Sequence, residues 1–387
     1  QNHREHIMIN TYTKSMVDGL LADAGIQLNG THPWDLQVHN DALYSRVLRH
    51  LDLGLGEAYM DGWFDCSKLD EFFYRILNAK LEDKVLSNKK LFLTLLFAKF
   101  WGYKNKLFNY QTPSRAFEIG EKHYDHGNDL FEAMLDKKMT YTCGYWRDAK
   151  TLDEAQTNKL KLTCDKLYLK PGMTLLDIGC GWGSLAKYAA ENYGVSVIGI
   201  TVSKEQTELA RERCKGLPVE IRLQDYRDVT EKFDRIASLG MFEHVGRKNY
   251  RTYMEVANRC LKDDGLFLLH TIGLGTATTG ASRWINKYIF PNSMLPSLKQ
   301  INAASEDIFT VEDVHNFGAD YDKTLMAWHK NFNDHWDELK SNYNERFFRM
   351  WNYYLLSCAA LFRVRHTQLW QIVLSKHGIP RSYESIR

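Results

Sequence analysis

One short loop holds the residues best suited to binding a ligand. Glycines occupy positions 179, 181 and 183 between an apolar run and an amphipathic segment, and Asp177 stands two residues before the first glycine. Glycine lets the main chain turn sharply and approach a ligand closely, and the helix that follows would present its N-terminus. Dinucleotide-binding loops use GxGxxG rather than this GxGxG, so we expect S-adenosylmethionine, which carries no pyrophosphate. On this segment alone, a glycine turn without a ligand is the alternative.

Two titratable residues could handle a proton. Glu243 and His270 follow successive predicted strands. Because a doubly wound sheet binds its ligand over the carboxyl ends of the strands, we expect both side chains to face one pocket. The alternative is an acid that caps a helix beside a buried histidine whose hydrogen bonds are satisfied.

Other strand ends carry groups that suit a nucleoside. Thr201, Ser203 and Gln206 could bond the ribose hydroxyls, although Ser203 and Gln206 could equally form a capping box at a helix start. Asp225 could accept from the adenine amino group, and Tyr226 could stack on the base. The Pro-Pro-aromatic and Pro-Cys motifs of DNA methyltransferases are absent from the sequence.

The elements that position these residues change in character along the chain. Residues 10–110 have a helical pattern, whereas strands and helices alternate after Pro171, which is typical of a parallel sheet with crossover helices. The predicted strands are 173–178, 195–200, 219–223, 234–239 and 264–270. A last strand at 368–375 is expected to close the sheet.

Composition limits the classes of partner. The chain has 387 residues, 44% of them hydrophobic, and a formal net charge of +2, which gives no overall electrostatic attraction to nucleic acid. Its seven cysteines are scattered without a CxxC pair, which favours a reducing cytoplasm and argues against zinc. Residues 1–6 lack the apolar core of a signal peptide, so we expect no export.

A basic and aromatic segment at 80–106 could contact a membrane. Its apolar part, 91–97, is shorter than the roughly 20 residues that cross a bilayer. Lysines and aromatic residues flank it, as suits the headgroup boundary of an anionic membrane. An internal helix whose lysines merely solvate one face is equally compatible.

Several motifs together resemble the cyclopropane-fatty-acyl-phospholipid synthases, which are S-adenosylmethionine-dependent cyclopropane synthases. They lie at 141–146, 177–183, 240–246, 270–273 and 316–321, with further matches at 54–57 and 60–63. The resemblance covers almost the whole chain. It implies a doubly wound, mostly parallel, seven-stranded α/β sheet of the class I methyltransferase type at 113–387, and a smaller helical docking domain at 1–112.

The resemblance also implies a reaction. A methyl group passes from S-adenosylmethionine to the cis double bond of an unsaturated phospholipid acyl chain, and a proton then leaves that methyl carbon as the ring closes. The implied proton acceptor is a bound bicarbonate, held by Cys143, Glu243, His270, the backbone of Ile272, and Tyr321. We expect Glu243 to accept from the bicarbonate hydroxyl, and His270 and Tyr321 to donate. Cys358 is a further candidate by analogy, with inert packing as its alternative.

The resemblance also implies which residues bind the cofactor and which stabilise the carbocation. The resemblance places S-adenosylmethionine against Tyr141, Thr142, Gly179, Gly181, Thr201, Gln206, Asp225 and Tyr226. Position 142 is commonly serine in the family, and threonine keeps the hydroxyl. Aromatic faces can stabilise positive charge, and the candidates are Tyr124, Tyr141, Tyr145, Trp146, Phe242, Trp284, Tyr288 and Tyr321.

We therefore expect a homodimer that works from the cytoplasm, attached peripherally to the inner face of the cell membrane and without nucleic acid as partner. Two rivals stay open. A methyltransferase of small molecules or nucleic acid would share the glycine loop but need no proton acceptor. An inactive membrane-binding module would bind vesicles without turnover.

Overall fold

The computed structural model describes residues 14–15, 17–79, 127–277 and 282–387. The basic segment at 80–106, the expected boundary at 112/113 and Tyr124 lie outside the described residues. Within these ranges, no helix combines the length and the apolar character that crossing a membrane requires.

The strands are β1 (Gln37–Val38), β2 (Phe64–Asp65), β3 (Thr174–Ile178), β4 (Ser196–Thr201), β5 (Val219–Leu223), β6 (Phe233–Leu239), β7 (Leu261–Leu274), β8 (Thr310–Asn316) and β9 (Thr367–Ser375). The helices are α1 (17–23), α2 (Ala42–His50), α3 (Asp52–Met60), α4 (Leu69–Asn78), α5 (Asn128–Met134), α6 (Leu152–Lys166), α7 (Ser184–Tyr193), α8 (Lys204–Arg213), α9 (Tyr250–Cys260), α10 (Arg283–Tyr288), α11 (Leu298–Ser305), α12 (Ala319–Asp334), α13 (Trp336–Leu339) and α14 (Glu345–Arg363).

The chain forms two compact units. Among the described residues, the first contains those up to 79 together with 282–291 and Asn333–His366, and the second contains 127–277, Asn292–Phe332 and Thr367–Arg387. The single boundary predicted at 112/113 does not anticipate that two later segments join the first unit. They do so through long-range contacts, such as Lys287 with Glu57 at 2.6 Å and Arg363 with Asp70 at 2.9 Å, which no local pattern reveals.

The described part of the first unit is mainly helical, with a short antiparallel pair of β1 and β2. Its longest described helix, α14, is capped by Asn344, whose side chain accepts from the Phe347 N–H at 2.9 Å, and it buries Trp351, Leu355 and Ala359. Burying a leucine side chain stabilises the folded state by about 1.5–3 kcal/mol.

The second unit is built on a seven-stranded sheet in the order β5-β4-β3-β6-β7-β9-β8. All neighbouring pairs are parallel except those of β9, which runs antiparallel to β7 and β8. The predicted fold class is therefore confirmed. The prediction that 368–375 closes the sheet was wrong, because β9 lies inside it and the unpredicted β8 forms the edge. An edge strand faces solvent and needs no continuous apolar pattern. β8 exposes Val311 and Val314, and it also contains the polar or charged residues Glu312, Asp313 and His315.

Successive residues of the central strands point to opposite faces of the sheet. Leu175, Ala237 and Leu268 join the core on one face, and Leu176, Ile236 and Leu269 join the core on the other. Because both faces are packed, the register of β3, β6 and β7 is fixed. The residues that follow these strands are thus held on a rigid frame.

Candidate active site

A cavity of about 180 Å³ lies at the carboxyl ends of β3, β4, β5 and β6. Its position is the one expected for the ligand of a doubly wound sheet. Each of the nine residues predicted to bind the cofactor lines it, namely Tyr141, Thr142, Asp177, Gly179, Gly181, Thr201, Gln206, Asp225 and Tyr226.

The glycine loop forms one wall of this cavity with backbone that other residues rarely adopt. Gly179 and Gly181 have φ values of +81° and +54°. A Cβ atom on Gly179 would lie 2.7 Å from the Cβ of Met241. The N–H groups of Gly179 and Cys180 both donate to the Ile200 carbonyl at 2.9 Å, which ties the turn to β4. The loop therefore requires glycine at 179 for both backbone conformation and space.

The side chains after β4 are already bonded to each other. Thr201 donates to Gln206 Oε1 at 2.9 Å, and Ser203 accepts from the Gln206 N–H at 3.3 Å. Ser203 is thus the N-cap of α8. The predicted capping box is only half formed, because the Gln206 side chain turns to Thr201 instead of back to the N-cap. Thr201 and Gln206 remain on the cavity wall.

Asp225 is held in place before any ligand arrives. Arg227 donates to its carboxylate from Nε at 2.8 Å and from Nη2 at 2.7 Å, and the Arg227 N–H donates at 2.9 Å. Tyr226 is buried, with its ring 5.0 Å from that of Tyr253. Both residues line the cavity, but each is also fixed by packing that the sequence did not reveal.

Lys159 also lines the cavity and was missed by the sequence analysis. It is fully buried on α6, and Nζ donates to Thr142 Oγ1 at 2.7 Å. In the part of the chain that the structure describes, this is its one side-chain hydrogen bond, and no carboxylate lies within ion-pair distance. Burial lowers the pKa of Lys159 to about 8. The sequence did contain one indication that Lys159 is buried: it lies at helical spacing from Leu152, Ala155 and Leu162, which form the buried face of α6.

Asp177 is the acidic counterpart of Lys159. It is buried at the end of β3, and its Oδ2 makes no hydrogen bond to any described residue. Burial raises the pKa of Asp177 to about 7, against the opposing effect of the Lys159 ammonium. The cavity therefore contains a buried cation and a buried acid that are not paired with each other.

Glu243 follows the end of β6, as predicted, whereas His270 lies inside the neighbouring strand β7, which continues past the predicted end to Leu274. Leu239 pairs with His270 across β6 and β7, and the Gly240 N–H donates to the His270 carbonyl at 2.9 Å. Glu243 Oε1 accepts from the Ile272 N–H at 2.7 Å, so two of the predicted anion-binding residues are in direct contact. We call Glu243, His270 and the Ile272 N–H together the acid–histidine pocket; Glu243 and His270 are not among the residues that line the cofactor cavity.

Each titratable member of the acid–histidine pocket has one buried atom without a partner among the described residues: Glu243 Oε2 and His270 Nε2. Burial raises the pKa of Glu243 to about 7. Burial, together with the nearby Lys159 and Lys166, lowers the pKa of His270 well below its usual range. The histidine is thus neutral, and the pocket offers one unused acceptor and one unused ring nitrogen.

Cys143 and Tyr321 belong to the same unit. The Cys143 thiol is buried 3.2 Å from the Gly144 carbonyl, and burial raises its pKa well above the usual range, so it stays neutral. Gly144 N–H donates to Thr324 on α12, the helix that also carries Tyr321. The Tyr321 ring packs against Trp328, which in turn packs against Tyr141 on the cavity wall.

The other aromatic candidates divide between the two units. Tyr145 packs against Phe317, whose ring also contacts His270 at 5.8 Å. Trp146 donates from Nε1 to Thr324 at 2.9 Å. Phe242 is fully buried and stacks on Tyr250, which makes it a core residue.

Trp284 and Tyr288 lie in the first unit, where Trp284 packs on Tyr353 and Tyr288 donates to Glu57. Cys358 also lies in the first unit, on α14, and burial raises the pKa of its thiol to about 12. A neutral thiol is a weak nucleophile and a weak base. Of the six predicted catalytic residues, Cys358 is thus the one in the first unit. The other five lie in the second unit: Cys143, Glu243, His270, Ile272 and Tyr321.

Known proteins match both the sequence and this architecture. A family model described as Mycolic acid cyclopropane synthetase matches residues 111–372. The cyclopropane-fatty-acyl-phospholipid synthase of Escherichia coli (strain K12) is 55% identical over 357 residues, which cover 92% of this chain and 92% of that protein.

Solved structures of cyclopropane synthases have a similar fold. The cyclopropane synthase MmaA2 from Mycobacterium tuberculosis aligns with a TM-score of 0.65 and 34% identity over 69% of this chain and 100% of that chain. The mycolic acid cyclopropane synthase CmaA1, solved in complex with SAH and CTAB, aligns with a TM-score of 0.64 and 34% identity over 67% of this chain and 98% of that chain. The resemblance inferred from the motifs is confirmed. The chain belongs to the mycolic acid cyclopropane synthetase family and is an S-adenosylmethionine-dependent methyltransferase.

Proposed function

We propose that this enzyme converts the cis double bond of an unsaturated phospholipid acyl chain into a cyclopropane ring, with bicarbonate as the base. The phospholipid is proposed because the Escherichia coli relative, a cyclopropane-fatty-acyl-phospholipid synthase, matches 92% of the chain. The base is proposed from one observation, the two unused buried atoms of the acid–histidine pocket. When bound, S-adenosylmethionine supplies an electrophilic methyl group and bicarbonate supplies a small base.

The cavity residues suit the methyl donor. Asp177 offers an unused carboxylate oxygen for an α-ammonium group, and Lys159 offers ammonium hydrogens for an α-carboxylate. Both lie beside the glycine loop, and the residues fixed after β4 and β5 are available for the nucleoside. A ligand with an α-ammonium group and an α-carboxylate, such as the amino-acid part of S-adenosylmethionine, therefore matches Asp177 and Lys159, which are not paired with each other.

The acid–histidine pocket suits a small anion that also has a hydroxyl. Ionised Glu243 can accept a hydrogen bond from a hydroxyl through Oε2, while a ring N–H of His270 can donate to an anionic oxygen. An anion with no hydroxyl would place two acceptors against each other, which costs free energy in a buried site. Bicarbonate has both kinds of oxygen. Tyr321 and Cys143 are proposed to complete the pocket.

The surroundings also suit a carbocation. An alkene is a poor nucleophile, and methyl transfer to it leaves a carbon with positive charge. Aromatic faces stabilise such charge by about 0.5–2 kcal/mol each. Tyr141 and Tyr321 are connected through Trp328, and the buried Cys143 thiol is neutral and therefore a weak competitor for the cation.

The test is the mass of the product. The full chain is incubated with S-adenosylmethionine carrying a labelled methyl group and with vesicles of unsaturated phospholipid; vesicles of saturated phospholipid are the control. We expect the lipid to gain one CH2 and lose its double bond. A methylated lipid that keeps its double bond, or methyl transfer only to soluble amines or RNA, would contradict the proposal.

Docking to the membrane is proposed for the segment at 80–106, which lies outside the described residues. Replacing Lys89 and Lys90 with glutamate removes two positive charges, each worth about 1 kcal/mol at an anionic surface, and adds two negative charges that the surface repels. We expect binding to anionic vesicles to weaken by more than about thirtyfold, with unchanged S-adenosylmethionine binding.

In the matched control for docking, glutamate replaces Lys137 and Lys150, two exposed lysines of the second unit. Equal losses in both double variants would show that net charge alone matters and would contradict a docking role for the segment. That the active form is a homodimer stays a prediction.

A further inference from the structure

Three buried side chains of the second unit form a chain of hydrogen bonds behind the acid–histidine pocket. Thr163 donates from its hydroxyl to the Lys159 carbonyl at 2.9 Å. Gln371 Nε2 donates to Thr163 Oγ1 at 3.2 Å and lies 3.4 Å from His270 Nδ1. Gln371 stands directly opposite His270 in the antiparallel pairing of β7 and β9. All three side chains are buried.

The direction of these bonds is decided at Thr163. A threonine hydroxyl has a single hydrogen, and here it is committed to the Lys159 carbonyl. Its oxygen can then only accept, so Gln371 must present its amino group and not its carbonyl. If the amide were turned over, its oxygen would face Thr163 Oγ1 and His270 Nδ1. It would lose the bond to Thr163, whose oxygen can only accept, and could keep at most one bond, to a protonated Nδ1. The other end of the amide has no partner among the described residues in either orientation, so it favours neither.

The orientation of Gln371 in turn decides where His270 carries its proton. An amide N–H faces Nδ1, so Nδ1 must supply a lone pair. A neutral imidazole has one N–H, which then lies on Nε2, the atom that has no partner among the described residues. The opposite tautomer would set two N–H groups against each other and turn a lone pair towards an incoming anion.

We propose that Gln371 and Thr163 are positioning residues that hold His270 in the Nε2–H tautomer, the form able to donate to an anion. The use of this tautomer in binding bicarbonate rests on the proposed function, whereas the tautomer itself belongs to the ligand-free protein. Neither residue touches the reacting atoms in this account. Both act through the histidine ring.

The direct test is ¹⁵N NMR of the ligand-free full chain labelled at histidine, with the His270 signals assigned by their loss in His270→Gln. Two-bond nitrogen–proton couplings distinguish the tautomers. We expect a neutral ring protonated at Nε2. A ring protonated at Nδ1, or an imidazolium, overturns the proposal without any variant of the positioning residues.

The variant Thr163→Val removes the hydroxyl at constant shape and frees the Gln371 amide to turn. We expect His270 to become a mixture of tautomers, and the KM for bicarbonate to rise about tenfold while the S-adenosylmethionine Kd stays unchanged. Thr163→Ser restores the hydroxyl and should restore both the tautomer and the KM.

Other outcomes are equally informative. If Thr163→Val keeps pure Nε2–H and a wild-type KM, the positioning role is overturned. If the tautomer behaves as expected but the wild-type rate is independent of bicarbonate, the proposed function fails while the positioning of His270 stands.

Discussion

The cofactor cavity and the acid–histidine pocket lie in the same unit but differ in how many of their polar groups are already bonded to protein partners. In the cavity, Thr201, Gln206 and Asp225 are bonded to protein partners before a ligand arrives. In the pocket, Glu243 and His270 each keep one buried polar atom without a partner among the described residues. Unpaired buried polar groups cost free energy, so a ligand that bonds to both atoms would be stabilised there. The cavity thus holds the residues proposed for the nucleoside in place and leaves Asp177 Oδ2 without a partner among the described residues, whereas both titratable members of the pocket keep such an atom.

The largest expected effect tests the pocket. Glu243→Gln keeps an oxygen for the Ile272 N–H but replaces the unused acceptor with a donor. We expect kcat to fall by about 10²–10⁴, the range for loss of a general base, because the bicarbonate that takes the proton would no longer be held. Calorimetry should show an unchanged S-adenosylmethionine Kd. A near-normal rate, or an equal loss of cofactor affinity, would remove the distinction between the two sites.

The second prediction follows from burial of Glu243, whose pKa is raised to about 7. Between the ordinary carboxyl pKa and about 7, the folded chain keeps a proton that the unfolded chain has lost, so stability falls as pH rises. Relative to Glu243→Gln, the wild type should lose on the order of 3 kcal/mol of unfolding free energy from pH 4.5 to 8.

Denaturant unfolding of the ligand-free proteins measures this difference. Glu208→Gln, at an exposed carboxylate on α8, is the control and should follow the wild type. A difference between wild type and Glu243→Gln that does not change with pH would mean that Glu243 is not buried as described.

The third prediction tests charge in the cavity. Lys159→Met removes the buried ammonium but keeps the length of the side chain. We expect the S-adenosylmethionine Kd to rise at least tenfold, because a hydrogen bond to a charged group contributes about 1.5–3 kcal/mol. Lys161→Met, at an exposed position of the same helix, is the control. Unchanged affinity in Lys159→Met would exclude Lys159 from binding.

The smallest effect tests the loop. Gly179→Ala forces a Cβ into left-handed backbone, at a cost of about 1–2 kcal/mol, and against Met241. Gly172→Ala imposes similar backbone strain at φ +84° with nothing within 4 Å. Both should lose stability, but only Gly179→Ala should lose roughly tenfold in cofactor affinity. Equal affinity in the two variants would contradict a cofactor role for the loop.

The two sites also differ in how well the sequence predicts them. The cavity follows from local signals: a glycine loop after an apolar strand, and polar residues at strand ends that a parallel sheet brings together. The same argument accounts for Glu243 after β6 but only partly for His270, which lies on the neighbouring strand β7 before that strand ends at Leu274. These features depend on short stretches of chain and on the known geometry of the fold.

What the sequence did not reveal depends on distant contacts. Lys159 is one lysine among many until α6 packs against the sheet. Gln371 matters only because β9 inserts between β7 and β8, whereas we expected it to close the sheet. The segments 282–291 and Asn333–His366 join the first unit through ion pairs and ring contacts formed with residues more than 200 positions away. Periodicity contains no information on such pairs.

The acid–histidine pocket is proposed to hold bicarbonate as the base. The most direct measurement is the rate of cyclopropane formation in buffer freed of carbon dioxide, with bicarbonate then added back at constant pH and ionic strength. We predict a low rate that rises to saturation in the wild type and does not respond in Glu243→Gln. A wild-type rate that is the same with and without bicarbonate would contradict the claim.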